Sequence, residues 1–200
     1  DLKDPASDAG AEFGEHLSLS ADGSVVAIGA PSAEDPSDSS SWHHGCVRVF
    51  EFVDSVWRQR GLTIYGSGKA MLGSAMAIND AGTILSLGSR RHAETYVYYW
   101  DCTSMPMEWK QMGGTLRGST DSGHFGSAVS LNGAGTVLAV GATYNIEGAA
   151  VKCARVNMDE DYFVKCESED DLAPFEEKGA QVKAEKDPGA VFVYEWDQAN

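Results

Sequence analysis

One pattern occurs three times in this chain without a gap, and it limits the folds available more than any other feature. The first copy reads Phe13-Gly14-Glu15-His16-Leu17-Ser18-Leu19-Ser20-Ala21-Asp22-Gly23, then Ser24 and the run Val25-Val26-Ala27-Ile28-Gly29-Ala30. The second runs from Leu72-Gly73-Ser74-Ala75 through Asn79-Asp80-Ala81-Gly82 to Ile84-Leu85-Ser86-Leu87-Gly88. The third runs from Phe125-Gly126-Ser127-Ala128 through Asn132-Gly133-Ala134-Gly135 to Val137-Leu138-Ala139-Val140-Gly141-Ala142. The copies begin 59 and then 53 residues apart, and in each a turn glycine falls 10 residues after the opening Phe or Leu and a second glycine 16 after it. A period of this length marks a repeat architecture, in which each unit is one supersecondary element.

Each copy predicts a β-hairpin. Leu17 and Leu19 alternate with serines, as Val129 and Leu131 do around Ser130, the pattern of a strand with one buried face. An Asp/Asn/Gly cluster follows, ending on a glycine suited to the positive φ of a tight turn. The denser runs Val25–Ile28, Ile84–Leu87 and Val137–Val140 predict strands covered on both faces. Gly29, Gly88 and Gly141 close them, where a missing side chain lets backbone pass closely. A β-branched and aromatic element recurs at 45–52, 93–100 and 189–196. A further element recurs twice, as Trp57-Arg58-Gln59 with Gly61 and Ile64, and as Trp109-Lys110-Gln111 with Gly113 and Leu116. The unit is thus four strands in about 55 residues, the repeat length of a propeller blade. The expected fold is all-β: an incomplete β-propeller of four-stranded antiparallel blades. Its blades are 13–64, 72–116 and 125–197, the last lacking its fourth strand and carrying an insertion at 143–188 after its second. A β-sandwich of coincidentally similar hairpins is the competing arrangement. No stretch has helical periodicity, although 173–186 could hold a short turn.

Three blades fall short of the four to eight of a closed ring, so the expectation is an open fan or a piece of a longer chain with the remaining blades. Composition narrows function. With 15 Lys+Arg against 30 Asp+Glu the net charge is −15, which argues against a sequence-independent grip on nucleic acid and against docking on an anionic membrane. No apolar run approaches the roughly 18 residues of a spanning helix. The 22 glycines belong to the hairpin turns and strand ends of the repeat.

The pairs Phe13-Gly14 and Phe125-Gly126, with Gly29-Ala30-Pro31 and Gly141-Ala142 downstream, resemble the FG-GAP repeat. That repeat builds the propeller at the head of integrin alpha chains and occurs in extracellular microbial and algal proteins. The second copy departs from it with Leu72-Gly73, and only the first keeps Gly-Ala-Pro intact. The resemblance implies the fold more strongly than any function, because propellers host many functions. In many FG-GAP blades the loop between the first two strands holds calcium through an Asp-x-Asp-x-Asp-Gly run. The loops here, Ser20-Ala21-Asp22-Gly23, Asn79-Asp80-Ala81-Gly82 and Asn132-Gly133-Ala134-Gly135, offer one carboxylate, one and none. Calcium takes six to eight oxygens, so no metal or other cofactor is expected and these loops are read as plain turns.

Length varies in the connections between second and third strands: 16 positions (29 to 45), 5 (88 to 93) and 48 (141 to 189). These share one face of a propeller with the connections from fourth to first strands, and insertions confined to one face often mark a binding face. The corresponding integrin face engages ligand. The expected ligand-binding residues are Trp42, His43, His44, Arg90, Arg91, His92 and Tyr144. His43 and His44, near Asp35 and Asp38, are expected to form a surface pair rather than a metal site, because neighbours in a strand point to opposite sides. Trp57 and Trp109 recur at one blade position and are read as packing. Cys153 and Cys166 would, in the extracellular location the resemblance implies, close a disulfide loop of about 14 residues, worth roughly 3 kcal/mol; in a reducing compartment they are two free thiols. Cys46 and Cys102 start and follow third strands at opposite sheet ends and should not pair. The acidic runs 159–161 and 167–171 are read as a solvated loop.

The functional expectation is a non-catalytic binding module, extracellular or at the cell surface, taking a protein or carbohydrate ligand. The alternatives are an enzyme with its site at the central channel, and a structural array for surface assembly. No nucleophile elbow, zinc-protease helix, phosphate loop or Cys-x-x-Cys is present.

Overall fold

A computed structural model describes residues 2, 10–39, 43–118 and 124–143, and, as backbone, 154–156, 163–165 and 190–195. The first repeat forms β1 (His16–Leu19) and β2 (Val25–Ala30), an antiparallel hairpin with Leu17 opposite Ile28 and Leu19 opposite Val26. β3 (Cys46–Val53) pairs antiparallel with β2. The fourth strand is broken in two, β4 (Val56–Gln59) and β5 (Ile64–Tyr65), which pair with opposite ends of β3. The break falls at Arg60–Thr63, where Gly61 takes a φ of 81° and lies against Trp100 and Trp109 of the second blade.

The second blade repeats the plan with β6 (Leu72–Ile78), β7 (Ile84–Ser89), β8 (Glu94–Asp101), β9 (Glu108–Gln111) and β10 (Leu116–Arg117). The third places β11 (Phe125–Leu131), β12 (Val137–Ala142) and β15 (Ala190–Glu195) in one sheet. β15 pairs with β12 although 47 residues separate Ala142 from Ala190 in sequence; the large insertion leaves the sheet order intact. Within that insertion β13 (Ala154–Val156) and β14 (Phe163–Lys165) form a hairpin, an element that sequence periodicity missed because three-residue strands carry no measurable period. These sheets make the chain an all-β, incomplete propeller.

The turn between first and second strands is built from side chains, as its Asp/Asn content predicts. Asp22 Oδ1 accepts from the Ser24 N–H at 2.9 Å and from the Ser20 hydroxyl at 2.7 Å. Asn79 Oδ1 accepts from Thr83 and Ile84 N–H, each at 2.8 Å, and Asn132 Oδ1 does the same with Thr136 and Val137. Backbone bonds then string the turns of successive blades together. The Ala21 N–H donates to the Asp80 carbonyl at 3.1 Å, and the Asp80 N–H donates to the Gly133 carbonyl at 3.0 Å. Ala21, Asp80 and Gly133 hold the same place in the repeat.

Blades 1 and 3 both pack against blade 2, with β1, β6 and β11 adjoining as the inner strands. Between blades 1 and 2, Val25, Ala27, Val47 and Val49 meet Leu85, Leu87, Tyr98 and Trp100. Between blades 2 and 3, Ile84, Val97 and Met112 meet Phe125, Leu138 and Val140. Trp109 lies beside Trp100 with ring centroids 5.4 Å apart, its Nε1–H donating to the Arg60 carbonyl at 3.0 Å. The Arg60 guanidinium sits 4.6 Å from the Trp100 centroid, so the corner of blade 1 caps the aromatic pair of blade 2. Trp57 makes the equivalent pair with Phe52 at 5.2 Å. Both recurring tryptophans pack as expected.

The closing glycines are points of closest approach. A Cβ at Gly29 would stand 2.5 Å from the Gly73 carbonyl oxygen, and one at Gly88 would stand 2.0 Å from the Gly126 carbonyl oxygen. The partners, Gly73 and Gly126, are the second residues of the next Leu-Gly or Phe-Gly pair and have φ of 85° and 83°. One glycine accepts the approach and the other turns the carbonyl toward it. At Gly141 an added Cβ meets, among the described residues, Ala128 at 3.3 Å within its own blade.

Two outcomes follow. Gly88→Ala is expected to cost about 3 kcal/mol by overpacking, whereas Gly141→Ala changes stability by no more than about 0.5 kcal/mol; urea unfolding of the two variants reads the difference. The Asp22 carboxyl is drawn down to about 2, mainly by the Ser24 N–H and then by the Ser20 and Ser24 hydroxyls. Because its folded value is depressed, its stabilising contribution is present above 3.8, the ordinary value, and is lost as pH falls toward about 2. The Asp22→Asn variant should lack that part of the acid dependence in melts recorded across this range.

Candidate functional site

Hydrogen bonds place the 2–3 and 4–1 connections on one face, opposite the Asp/Asn turns. Met71 and Leu72 donate their N–H groups to the carbonyls of His43 and His44, each at 3.0 Å, and Gly66 donates to Gly45 at 2.9 Å. The buried Ser89 hydroxyl donates to the Ala70 carbonyl at 2.8 Å. These bonds lay the connection 66–71 between the 2–3 loops of blades 1 and 2.

The blade 1 loop is folded around one of the expected ligand residues. His44 is 1% exposed. Its Nδ1 accepts from the Asp35 N–H at 3.2 Å and its Nε2 faces Asp38 Oδ2 at 3.3 Å, which puts the ring proton on Nε2. Asp35 in turn accepts from the N–H and hydroxyl of Ser37. The expectation of a surface pair is corrected here: His43 takes a φ of 64° and is half-buried, outside any strand, and the chain turns so that His44 enters the core. Alternation along a strand does not apply to a left-handed backbone. His44 therefore holds the loop's shape, and neither ring nitrogen faces outward.

Arg90 and Arg91 are exposed on the β7–β8 turn, with half-buried His92 beside them. Beneath this turn lies a polar cluster. The Glu94 side chain is 6% exposed. Its Oε1 pairs with Arg117 Nη1, its Oε2 accepts from the Tyr96 hydroxyl, and His92 Nδ1 lies 4.0 Å from the same Oε2. Glu94 and Arg117 face each other across the β8–β10 ladder, and Glu94 and Tyr96 share a side of β8. Burial, and then the bond to Glu94, push the Tyr96 phenol well above its ordinary pKa, so it stays a donor at neutral pH. Arg117 is 68% exposed and Lys69 is exposed on the neighbouring connection. Lys69, Arg90, Arg91 and Arg117, with His92 beside Arg91, thus form a cationic rim around a carboxylate whose two oxygens are already engaged.

Sequence reading found the rim's Arg90 and Arg91, and His92 beside them, through loop position. It missed Lys69, Glu94, Tyr96 and Arg117. One signal was available: Glu94 stands where the other third strands have Cys46 and Ala190, and an acid at a core strand position needs a partner. Trp42, Tyr144, Cys153, Cys166, the acidic runs and 173–186 lie outside the described residues. Cys46 is buried and Cys102 exposed, and the two are not bonded to each other.

No protein-family model matches the sequence, and no curated protein matches it either. Solved structures do. A proposed 6-phosphogluconolactonase from Bacteroides fragilis superposes with a TM-score of 0.51 at 14% identity, covering 79% of this chain and 38% of that one. A second proposed 6-phosphogluconolactonase, from Bacteroides uniformis, gives 0.47 at 13% identity, with 74% and 38% covered. KlAtg21, in complex with the coiled coil of AgAtg16, gives 0.47 at 18% identity, with 64% and 36% covered. The chain spans less than two-fifths of each of these structures. At such identities the likeness concerns fold alone, and the fold is that of a β-propeller.

Proposed function

We propose that this chain is part of an FG-GAP-type β-propeller that serves as a non-catalytic binding module outside the cell or at its surface, with the 2–3/4–1 face as its ligand face. The observation that carries this reading is the cationic rim of Lys69, Arg90, Arg91 and Arg117 on a chain of net charge −15. A local excess of one sign against the overall charge steers an oppositely charged partner to that spot. Guanidinium groups suit planar oxyanions, so the ligand is a protein or carbohydrate that presents carboxylates. The fixed loops support the same reading: His44 organises the blade 1 loop, and Ser89 ties the blade 2 turn to its neighbour, so the rim is preorganised.

The rival reading is an enzyme, since two of the structural neighbours are proposed lactonases. Against it stands Glu94, the buried carboxylate of the face, which has both oxygens bonded to Arg117 and Tyr96. A general base must have a lone pair within reach of the substrate's proton. The Tyr96 phenol, held in its protonated form, is no nucleophile at neutral pH.

Calorimetric titration with oligogalacturonate, with a polyglutamate peptide and with neutral maltooligosaccharide tests the proposal. Binding to an acidic probe and not to the neutral one is expected, with affinity falling about tenfold or more in the Arg90→Ala/Arg91→Ala double variant and on raising the salt. Equal binding by the double variant, or turnover of a sugar lactone by the wild-type chain, would overturn it.

A further inference from the structure

Methionine is an apolar side chain, and three of those in this structure are placed as one. Met71 and Met76 are half-buried, and Met112 is buried in the packing between blades 2 and 3. Two others are not: Met105 is 91% and Met107 50% exposed. Both stand in the β8–β9 connection, and the same connection carries Cys102, also exposed. A thiol and two thioethers are thus held at the surface within one short run, Cys102-Thr103-Ser104-Met105-Pro106-Met107.

The ladder closes this loop at its base, where Asp101 faces Glu108 and Trp100 faces Trp109. Cys102 follows Asp101 on one arm, and Met107 precedes Glu108 on the other. Facing residues of an antiparallel pair are about 5 Å apart, so the two arms leave the sheet side by side. The Ser104 hydroxyl lies 3.3 Å from the Asp101 carbonyl and 3.1 Å from the Pro106 carbonyl, bridging the arms beneath Met105. Each methionine adds three rotatable bonds, which lets the sulfurs gather over the loop.

The oxygen donors of the loop are already engaged. Asp101 Oδ1 accepts from the N–H groups of Thr103 and Ser104 at 2.8 and 3.2 Å, and its Oδ2 is paired with Lys110 at 2.6 Å. The same ammonium lies 3.6 Å from Glu108 Oε1. Among the described residues no group of three His, Cys, Asp or Glu could hold a metal ion, so a metal site in this loop draws on methionine sulfur. Hard cations such as calcium and magnesium take oxygen, whereas thiolate and thioether donors select Cu(I).

We infer that Cys102, Met105 and Met107 form a binding site for Cu(I), made of one thiolate and two thioethers on a single loop. The thiol releases its proton to solvent as the ion enters, and the thiolate balances the ion's single charge. The Trp100 N–H donates to the Thr83 carbonyl at 2.8 Å, which puts this loop on the side of the Asp/Asn turns, opposite Arg90 and Arg91. The inference therefore stands apart from the reading of a carboxylate ligand on the other face.

NMR of labelled methionine methyl groups in the 200-residue chain, titrated with Ag(I) as a redox-inert stand-in for Cu(I), tests this. The Met105 and Met107 signals are identified by their loss in Met105→Leu and Met107→Leu. Both should move together and saturate while those of Met71, Met76 and Met112 stay in place, and excess calcium or magnesium should move none. Cys102→Ser should abolish the joint shift although Cys153 and Cys166 are still present. All three substituted positions are exposed, so thermal melts near wild type confirm that the variants are folded. Anaerobic competition with bathocuproine disulfonate then reads Cu(I) itself. In a Cys153→Ser/Cys166→Ser background, replacing both methionines by leucine should weaken Cu(I) binding about tenfold or more, which is roughly 1.4 kcal/mol or more. A silver-saturated chain whose Met105 and Met107 methyls have not moved would overturn the inference. So would shifts that survive Cys102→Ser, or Cu(I) affinity unchanged by the double leucine variant.

Discussion

Blade-to-blade contact in this protein depends on a place where a side chain is missing. At Gly29 and at Gly88 the strand runs so close to the next blade that a single added carbon would overlap the carbonyl oxygen of Gly73 or Gly126. Those carbonyls are aimed by residues whose backbone is left-handed, a conformation cheap only for glycine. The valine and leucine rows on either side can then interlock at core density. If the approach were blocked, the rows would separate, and the turn-to-turn bonds from Ala21 to Asp80 and from Asp80 to Gly133 would stretch together. The period of the repeat is thus also the period of the contact.

The face opposite the Asp/Asn turns inherits its order from this packing. The connection 66–71 is held on one side by His43 and His44 carbonyls and on the other by Ser89, so Lys69 stands beside the β7–β8 turn without needing to be near it in sequence. Glu94 sits below, satisfied by Arg117 and Tyr96. A buried carboxylate with both oxygens engaged is an anchor for the cations around it, and its own negative charge offsets part of their mutual repulsion.

How much of this was legible in the sequence differs by level. The hairpins, the four-strand unit and the packing roles of Trp57 and Trp109 follow from local pattern, because alternation and turn chemistry are properties of neighbouring residues. The close approach at Gly29 and Gly88 was legible as three glycines at one spacing, though not what approaches them. His44 went the other way: the reading of a surface pair assumed a strand, and the left-handed backbone at His43 turned the next ring inward. The break in the fourth strand at Arg60–Thr63 was also hidden, since both halves pair with β3 and only the corner's fit over Trp100 separates them.

The sequence alone determined that this chain is a run of equivalent antiparallel sheets, since a repeated hairpin with one buried face can satisfy itself only against copies of its kind. Tertiary structure decided which loop residues stand together. Lys69 and Arg117 reach the rim of Arg90 and Arg91 from strands and connections that only the stacking of blades brings side by side. It decided as well that Leu19 of blade 1 is exposed while Ile78, its equivalent in blade 2, is buried against blade 1. The two blades have nearly the same local pattern, and the difference lies in the packing of one blade on the next, which local pattern does not encode.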